Sequence, residues 1–210
     1  MSALTFFKHW LQNPLRMGSI VPSSKALAHR MVQDLDLEGD RVVIELGSGT
    51  GAFSQELARR MNGRGTLILV ERSEELAVVL RQRFPNAVVI NDCVSKLGVH
   101  MEQLGLPQAD YIVSGLPWTL FDPELQEQAL SQVRAWLRPG GTFVTFIYLH
   151  GMRFMNLGVK FEARLKHLLG RFEKSRPVWR NLPPARVWTW HRPLHLHSGE
   201  AGGGHSQSAH

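Results

Sequence analysis

Val42-Val43-Ile44-Glu45-Leu46-Gly47-Ser48-Gly49-Thr50-Gly51 decides how this 210-residue chain folds. The β-branched run at its start suits a buried strand. Three alternating glycines follow, which let the backbone turn sharply and approach a ligand with no Cβ in the way. A helical pattern begins at Phe53, so the turn opens onto a helix N-terminus with free N–H donors. Further apolar runs at 66–70, 87–90, 111–113 and 142–148 alternate with helical stretches at 53–60, 74–84, 94–104 and 123–137. Buried strands alternating with helices predict a mostly parallel sheet covered on both faces. Arg138-Pro139-Gly140-Gly141 turns the last of these helices into the fifth strand, and 186–191 reads as a further strand.

The glycine turn admits more than one ligand. Gly47, Gly49 and Ala52 satisfy a dinucleotide fingerprint, yet Glu45 stands two residues before the first glycine, close to where a pyrophosphate would pass. A sulfonium amino-acid cofactor has no pyrophosphate, and its cationic end suits an acid there. A purely structural turn is the third reading. Glu71, twenty residues beyond Gly51 at the end of the second strand, is placed for a carboxylate that grips two ribose hydroxyls.

These residues resemble the E/D-x-G-x-G-x-G pattern of class I methyltransferases over 41–150. The resemblance implies a Rossmann-like fold with a seven-stranded, mostly parallel sheet and S-adenosylmethionine as cofactor, S-adenosylhomocysteine as product, and no metal. It makes Glu45, Gly47, Ser48, Gly49 and Gly51 the cradle of the methionine part. Glu71 with Arg72 falls at the ribose, Asp92 with Cys93 at the adenine, and Ser114 beside the cofactor. Asp92 also reads as a plain helix cap.

Ser114-Gly115-Leu116-Pro117-Trp118 follows the fourth strand, at the carboxyl edge where α/β folds place their chemistry. Adenine N6-methyltransferases carry an asparagine at the start of this motif, and here Ser114-Gly115 replaces it. The chain is similar to the bacterial phosphatidylethanolamine N-methyltransferases, soluble enzymes related to rRNA adenine dimethylases. That similarity rests on Asn13-Pro14 through Pro22-Ser23, on Ser114-Gly115-Leu116-Pro117, and on Val178-Trp179-Arg180-Asn181-Leu182-Pro183-Pro184-Ala185. It implies stepwise methylation of phosphatidylethanolamine to phosphatidylcholine at an anionic membrane surface, with no nucleic-acid partner. Enzymes acting on ornithine lipids share the pattern, and an RNA adenine methyltransferase is the alternative of another class. Leu116, Pro117, Trp118, Arg180 and Asn181 are then the expected substrate contacts.

A primary alkyl amine has a pKa near ~10.4 and arrives protonated at neutral pH. Each transfer therefore needs a proton removed. Tyr148, His150 and Trp118, at carboxyl ends of strands, are the expected catalytic residues: the two aromatics as cation–π partners of a methylated ammonium, His150 as proton acceptor. Trp118 reads equally as a packing residue beside the cofactor, Tyr148 as a residue that closes the cofactor pocket, and His150 as a structural histidine.

The rest of the sequence bounds where this happens. The single cysteine, Cys93, excludes an internal disulfide and suits a reducing cytoplasm. No secretory signal is evident at the start, and the longest strongly apolar stretch, 143–149, is far short of the ~20 residues that span a bilayer. The expected location is therefore cytoplasmic and peripheral on the inner face of the membrane. Residues 1–22 read as an amphipathic docking helix and linker, with Phe6, Phe7 and Trp10 on one side and Lys8 on the other. Residues 23–196 read as the methyltransferase domain and 197–210 as a disordered tail. A second amphipathic helix is expected at about 152–173, its apolar arc flanked by Lys160, Arg164 and Arg171, a pattern suited to an anionic lipid interface. Between 151 and 180, eight basic residues face only Glu162 and Glu173, so this segment carries as much excess charge as the whole chain's formal +6.

Overall fold

The structure, a computed structural model, describes residues 24–149 and 157–194. The expected 1–22 docking segment, with Phe6, Phe7, Lys8 and Trp10, lies outside them, as do His150 and the 197–210 tail. In chain order the described residues form α1 (Lys25–Val32), β1 (Val42–Leu46), α2 (Ala52–Met61), β2 (Thr66–Val70), α3 (Glu74–Arg83), β3 (Val88–Ile90), α4 (Leu97–Gln103), β4 (Ala109–Ser114), α5 (Pro123–Trp136), β5 (Leu137–Tyr148), α6 (Leu157–Leu169), β6 (Glu173–Lys174) and β7 (Ala185–His191), with 3₁₀ turns at Val94–Lys96 and Trp118–Leu120.

The strands make one seven-stranded sheet in the order β3-β2-β1-β4-β5-β7-β6. Strands β1 to β5 run parallel to their neighbours, while β7 is antiparallel to β5 and β6 to β7. Alternate side chains of each central strand enter two separate cores. Leu67 and Leu69 of β2 pack with α1 and α2, and Ile68 and Val70 pack with the group that includes α5 and α6. Burial on both faces is why these strands read as continuous apolar runs. The order reverses between β1 and β4, which opens a crevice at the carboxyl ends of these strands.

Local sequence sets the helix starts. Ser24, Ser73 and Asp122 each accept an N–H bond three residues on, from Leu27, Leu76 and Leu125, which meets donors that the first turn leaves unpaired. Pro123 follows Asp122, where its fixed φ suits the first helical position.

Helix α6 departs from expectation. It stops at Leu169 because Gly170 takes φ +89°, and residues 173–174 form β6 instead of a last helical turn. Its apolar arc is spent inside the protein: Phe161, Leu165 and Leu169 are buried, with Leu168 and Phe172 packed against the same core. Phe161 stacks between Trp118 (5.2 Å between ring centroids) and Trp188 (6.1 Å), and Phe172 stacks on the far side of Trp188 at 4.9 Å. Arg164 is tied to Gln126 of α5, and Lys166 and Lys174 both pair with Glu162. Most of the apolar arc is thus used in the core, with Val159 left exposed, so α6 packs on the sheet as a core helix. Lys160 and Arg171 remain exposed. Among the described residues no helix is long and apolar enough to cross a membrane.

Removing the middle ring of the stack should be costly. Phe161→Ala is expected to lower unfolding free energy by about 3–5 kcal/mol, the range for deleting a buried aromatic, while leaving S-adenosylhomocysteine affinity nearly intact. Urea denaturation and calorimetry check both; a loss under about 1 kcal/mol would show that the column contributes little.

Candidate active site

The carboxyl ends of β1, β2, β3 and β4 surround an open cleft. Its floor is where two loops meet. The Gly115 N–H donates to the Leu46 carbonyl (2.8 Å), and a Cβ on Gly115 would stand 2.7 Å from the Gly47 carbonyl and 3.2 Å from the Phe53 ring. From the other side, a Cβ on Gly47 would stand 2.7 Å from Leu116. Backbone excludes a side chain at Gly115, and at Gly47 the φ of +73° disfavours one. Gly49 lines the cleft with φ +54°, and a Cβ there would meet nothing within 4 Å.

Glu71 closes one wall. Its Oε2 accepts the Gly49 N–H and its Oε1 the Ser73 N–H, each at 2.8 Å. Both oxygens are thus fixed to backbone while keeping a second lone pair each. Asn91 Nδ2 donates to the carbonyls of Glu71 and Arg72, binding the β2 and β3 ends together. Asp92 lines the same cleft; its Oδ1 accepts the Cys93 N–H (2.6 Å) and its Oδ2 lies 2.8 Å from His100 Nε2. The His100 hydrogen bond, then the Cys93 N–H, holds the Asp92 carboxyl below the usual carboxylate range. Arg72 and Cys93 also line the cleft.

Glu45 lies beneath the cleft and is fully buried. Its Oε2 accepts the Ser54 hydroxyl at 2.6 Å, and among the described residues its Oε1 has no partner. Burial pushes its pKa up to about 8, against the Ser54 bond and with help from the Glu71 charge. A buried carboxyl oxygen without a donor is costly. Ser48 is also buried, with an unpartnered hydroxyl among the described residues. Gly51 faces away from the cleft: with φ +83°, it would set a Cβ against Phe84 and Leu80 of α3.

Leu116, Pro117, Phe121 and Leu125 line the cleft where the acceptor is expected. Several expected contacts here fall elsewhere. Trp118 is 1% exposed; its Nε1 donates to Thr145 Oγ1 (2.9 Å) and Ser114 Oγ (3.1 Å). With its ring covered by Phe161, it has no open face for an ammonium and packs beneath the loop instead. Ser114 is fully buried in the same network. Tyr148 alternates onto the opposite face of the sheet, edge-to-face with Phe146 at 5.2 Å, and burial raises its pKa; it does not line the cleft. Asn181 is 2% exposed and braces backbone, accepting the Ser24 N–H and donating to the Pro183 carbonyl. Arg180 is exposed outside the cleft.

Three positioning residues escaped the sequence reading. His100 holds Asp92, and Gly115 permits the loop contact. Gln126, buried on α5, donates to the Trp118 and Phe121 carbonyls and so fixes the acceptor loop. His100 and Gln126 belong to no motif, and Gly115 stands inside the 114–118 motif without a role assigned to it. His100 lies eight residues from Asp92, on a helix whose side facing the cleft depends on the tertiary fold.

A seven-stranded Rossmann-like sheet with a glycine-floored crevice and two acids at its mouth defines the methyltransferase fold. The profile of a methyltransferase domain family matches residues 43–141. An ornithine lipid N-methyltransferase of Singulisphaera acidiphila is 38% identical over 141 residues, which cover 66% of this chain and 71% of that one. Ribosomal RNA small subunit methyltransferase A of Thermotoga neapolitana is 26% identical over 57% of this chain, but only 44% of its own length is covered. Among solved structures, a SAM-dependent O-methyltransferase of Thermotoga maritima superposes with a TM-score of 0.62 at 17% identity, covering 89% of this chain and 72% of that one. The chain belongs to the class I S-adenosylmethionine-dependent methyltransferases.

The Glu45 environment has a consequence for stability. Its folded pKa of about 8 lies above the usual 4.5, so the folded state keeps a proton that the unfolded chain gives up. Its contribution is fully present below about pH 4.5 and is lost as pH rises toward about 8. Glu45→Gln, neutral at every pH, should lack this trend, so ligand-free wild type should lose stability relative to the variant across that window. Parallel stability curves in denaturant titrations at stepped pH would show Glu45 already ionised.

Proposed function

We propose that this enzyme methylates the primary amine of a membrane lipid headgroup, with an ornithine-type lipid as the acceptor class. The observation that carries the reading is the 38% identity to an ornithine lipid N-methyltransferase across 71% of that protein. It shifts the headgroup expectation from phosphatidylethanolamine, which stays as the second acceptor to test, toward ornithine lipid. The acceptor wall supports a lipid: Leu116, Pro117, Phe121 and Leu125 offer apolar surface. The RNA reading has weaker support, since the rRNA relative is covered over less than half its length and the residue at the asparagine position is a buried serine bonded to Trp118.

The residues fit the cofactor. In this reading Glu71 receives the ribose hydroxyls through the lone pairs its backbone bonds leave, Asp92 meets the adenine side, and Glu45 Oε1 accepts from the methionyl ammonium. Gly47 and Gly49 let backbone lie against the ligand. When bound, S-adenosylmethionine supplies an electrophilic methyl group on a sulfonium. The chain's task is to present an uncharged nitrogen to it. An ammonium pressed against an apolar wall is partly stripped of water, which lowers its pKa, so Leu116, Pro117 and Phe121 favour passage of its proton to solvent at the open cleft before transfer.

Labelled S-adenosylmethionine offered separately with ornithine lipid, phosphatidylethanolamine vesicles and RNA tests the acceptor. Methylated ornithine lipid is expected, and label in RNA with none in either lipid would overturn the reading. Glu71→Ala should weaken S-adenosylhomocysteine by roughly 1–3 kcal/mol, the scale for stranding polar partners; wild-type affinity by calorimetry would remove Glu71 from the ribose role. Because a ligand ammonium favours ionised Glu45, binding near pH 7 should release a proton. Binding enthalpy should then vary with buffer ionisation heat in the wild type and not in Glu45→Gln.

A further inference from the structure

We propose that the turn joining β6 to β7, residues 179–184, is a surface through which this enzyme docks on an anionic lipid membrane. The inference rests on the lipid-acceptor reading above and adds to it the part of the molecule that meets the bilayer.

The turn lies at the catalytic edge of the sheet. Ala185, the first residue of β7, sits opposite Tyr148 at the carboxyl end of β5, so the chain before it extends beyond the same edge that holds the cleft. The turn is braced from within. The Val178 N–H donates to the Ala185 carbonyl (2.7 Å), and the Leu149 N–H donates to the Pro184 carbonyl (2.9 Å). Asn181 is buried, with its amide shared between the Ser24 N–H and the Pro183 carbonyl. The polar residue thus faces inward, and the large apolar ones face outward: Trp179 is 72% exposed and Leu182 74%. Folding in water alone would favour the reverse arrangement.

Charge selects the partner. Arg176 and Arg180 are exposed beside Trp179, and the sequence has no acidic residue between Glu173 and Glu200. Tryptophan settles at the headgroup level, where its apolar ring and polar N–H are both accommodated. Leucine adds acyl-chain contact, and arginines meet lipid phosphates. An apolar tip flanked along the chain by exposed cations is an interfacial pattern, and here it stands at the edge where a headgroup amine must enter.

Cosedimentation of the full chain with vesicles of phosphatidylglycerol and phosphatidylethanolamine tests this. Trp179→Ala/Leu182→Ala should weaken vesicle binding by roughly 10-fold or more, since both apolar groups are lost. The same variant should bind S-adenosylhomocysteine normally and methylate lipid in detergent micelles at the wild-type rate. Arg176→Glu should weaken vesicle binding in a way that fades as salt rises. Unchanged vesicle binding in all variants overturns the proposal. So does loss of hydrogen-exchange protection over residues 1–23 in the double variant without vesicles while vesicle binding is unchanged, because the tip then covers this chain's own N-terminal segment. Wild-type binding to RNA but not vesicles, abolished in the double variant, also overturns it by making the tip a nucleic-acid contact. If the variants lose vesicle binding as expected while the wild type methylates no lipid amine, the docking surface stands and the acceptor reading fails.

Discussion

At the floor of the cleft two backbones approach so closely that position 115 cannot carry a side-chain carbon. Gly115 donates to Leu46, and the space where its Cβ would stand is taken by the Gly47 carbonyl. This contact fixes the separation of the β1 and β4 loops, and the rest of the site is referenced to it. From β1 it sets the glycine turn whose Gly49 N–H holds Glu71. From β4 it sets Leu116 and Pro117, which line the cleft. A methyl group at position 115 would push the two loops apart and disturb both halves of the cleft together.

The acceptor loop is held from below as firmly as from above. Trp118 lies under it as the end of an aromatic column through Phe161 and Trp188 to Phe172, and Gln126 ties its carbonyls to α5. Arg164 bonds the same Gln126, so α6 supports the site without touching the cleft. Long aromatic side chains are well suited to this, because a buried ring fixes position with few rotatable bonds. Pre-positioned loops matter for methyl transfer, where the nitrogen, carbon and sulfur must align.

Much of this was legible in the sequence. The strand–glycine–helix opening at 42–53 and the alternation after it predict the parallel sheet, and Glu71 and Asp92 fall at the crevice because strand ends are marked by abrupt changes in hydropathy, with Glu45 buried beneath it. What stayed hidden depends on which face a residue occupies. Trp118 follows a motif that exposes its neighbours, but a 3₁₀ turn at Trp118–Leu120 rotates its ring into the core. The α6 wheel separates apolar from basic residues, yet a wheel looks the same whether the apolar arc meets lipid or a sheet. Helix α1 has only eight residues and a modest pattern, and β6 has two. Such elements exist through their tertiary partners, and short-range pattern does not announce them.

The bond from the Ser24 N–H to Asn181 joins residues 157 positions apart. Closing a loop of that length costs chain entropy that one hydrogen bond does not repay, so the bond forms only once the strands between have already brought its ends together. The chain before α1 is therefore tied to the β6–β7 turn as a late event in folding. During synthesis, residue 24 emerges early but waits for residue 181 before it can be fixed. Its anchoring reports that the whole sheet, out to its antiparallel edge, is complete.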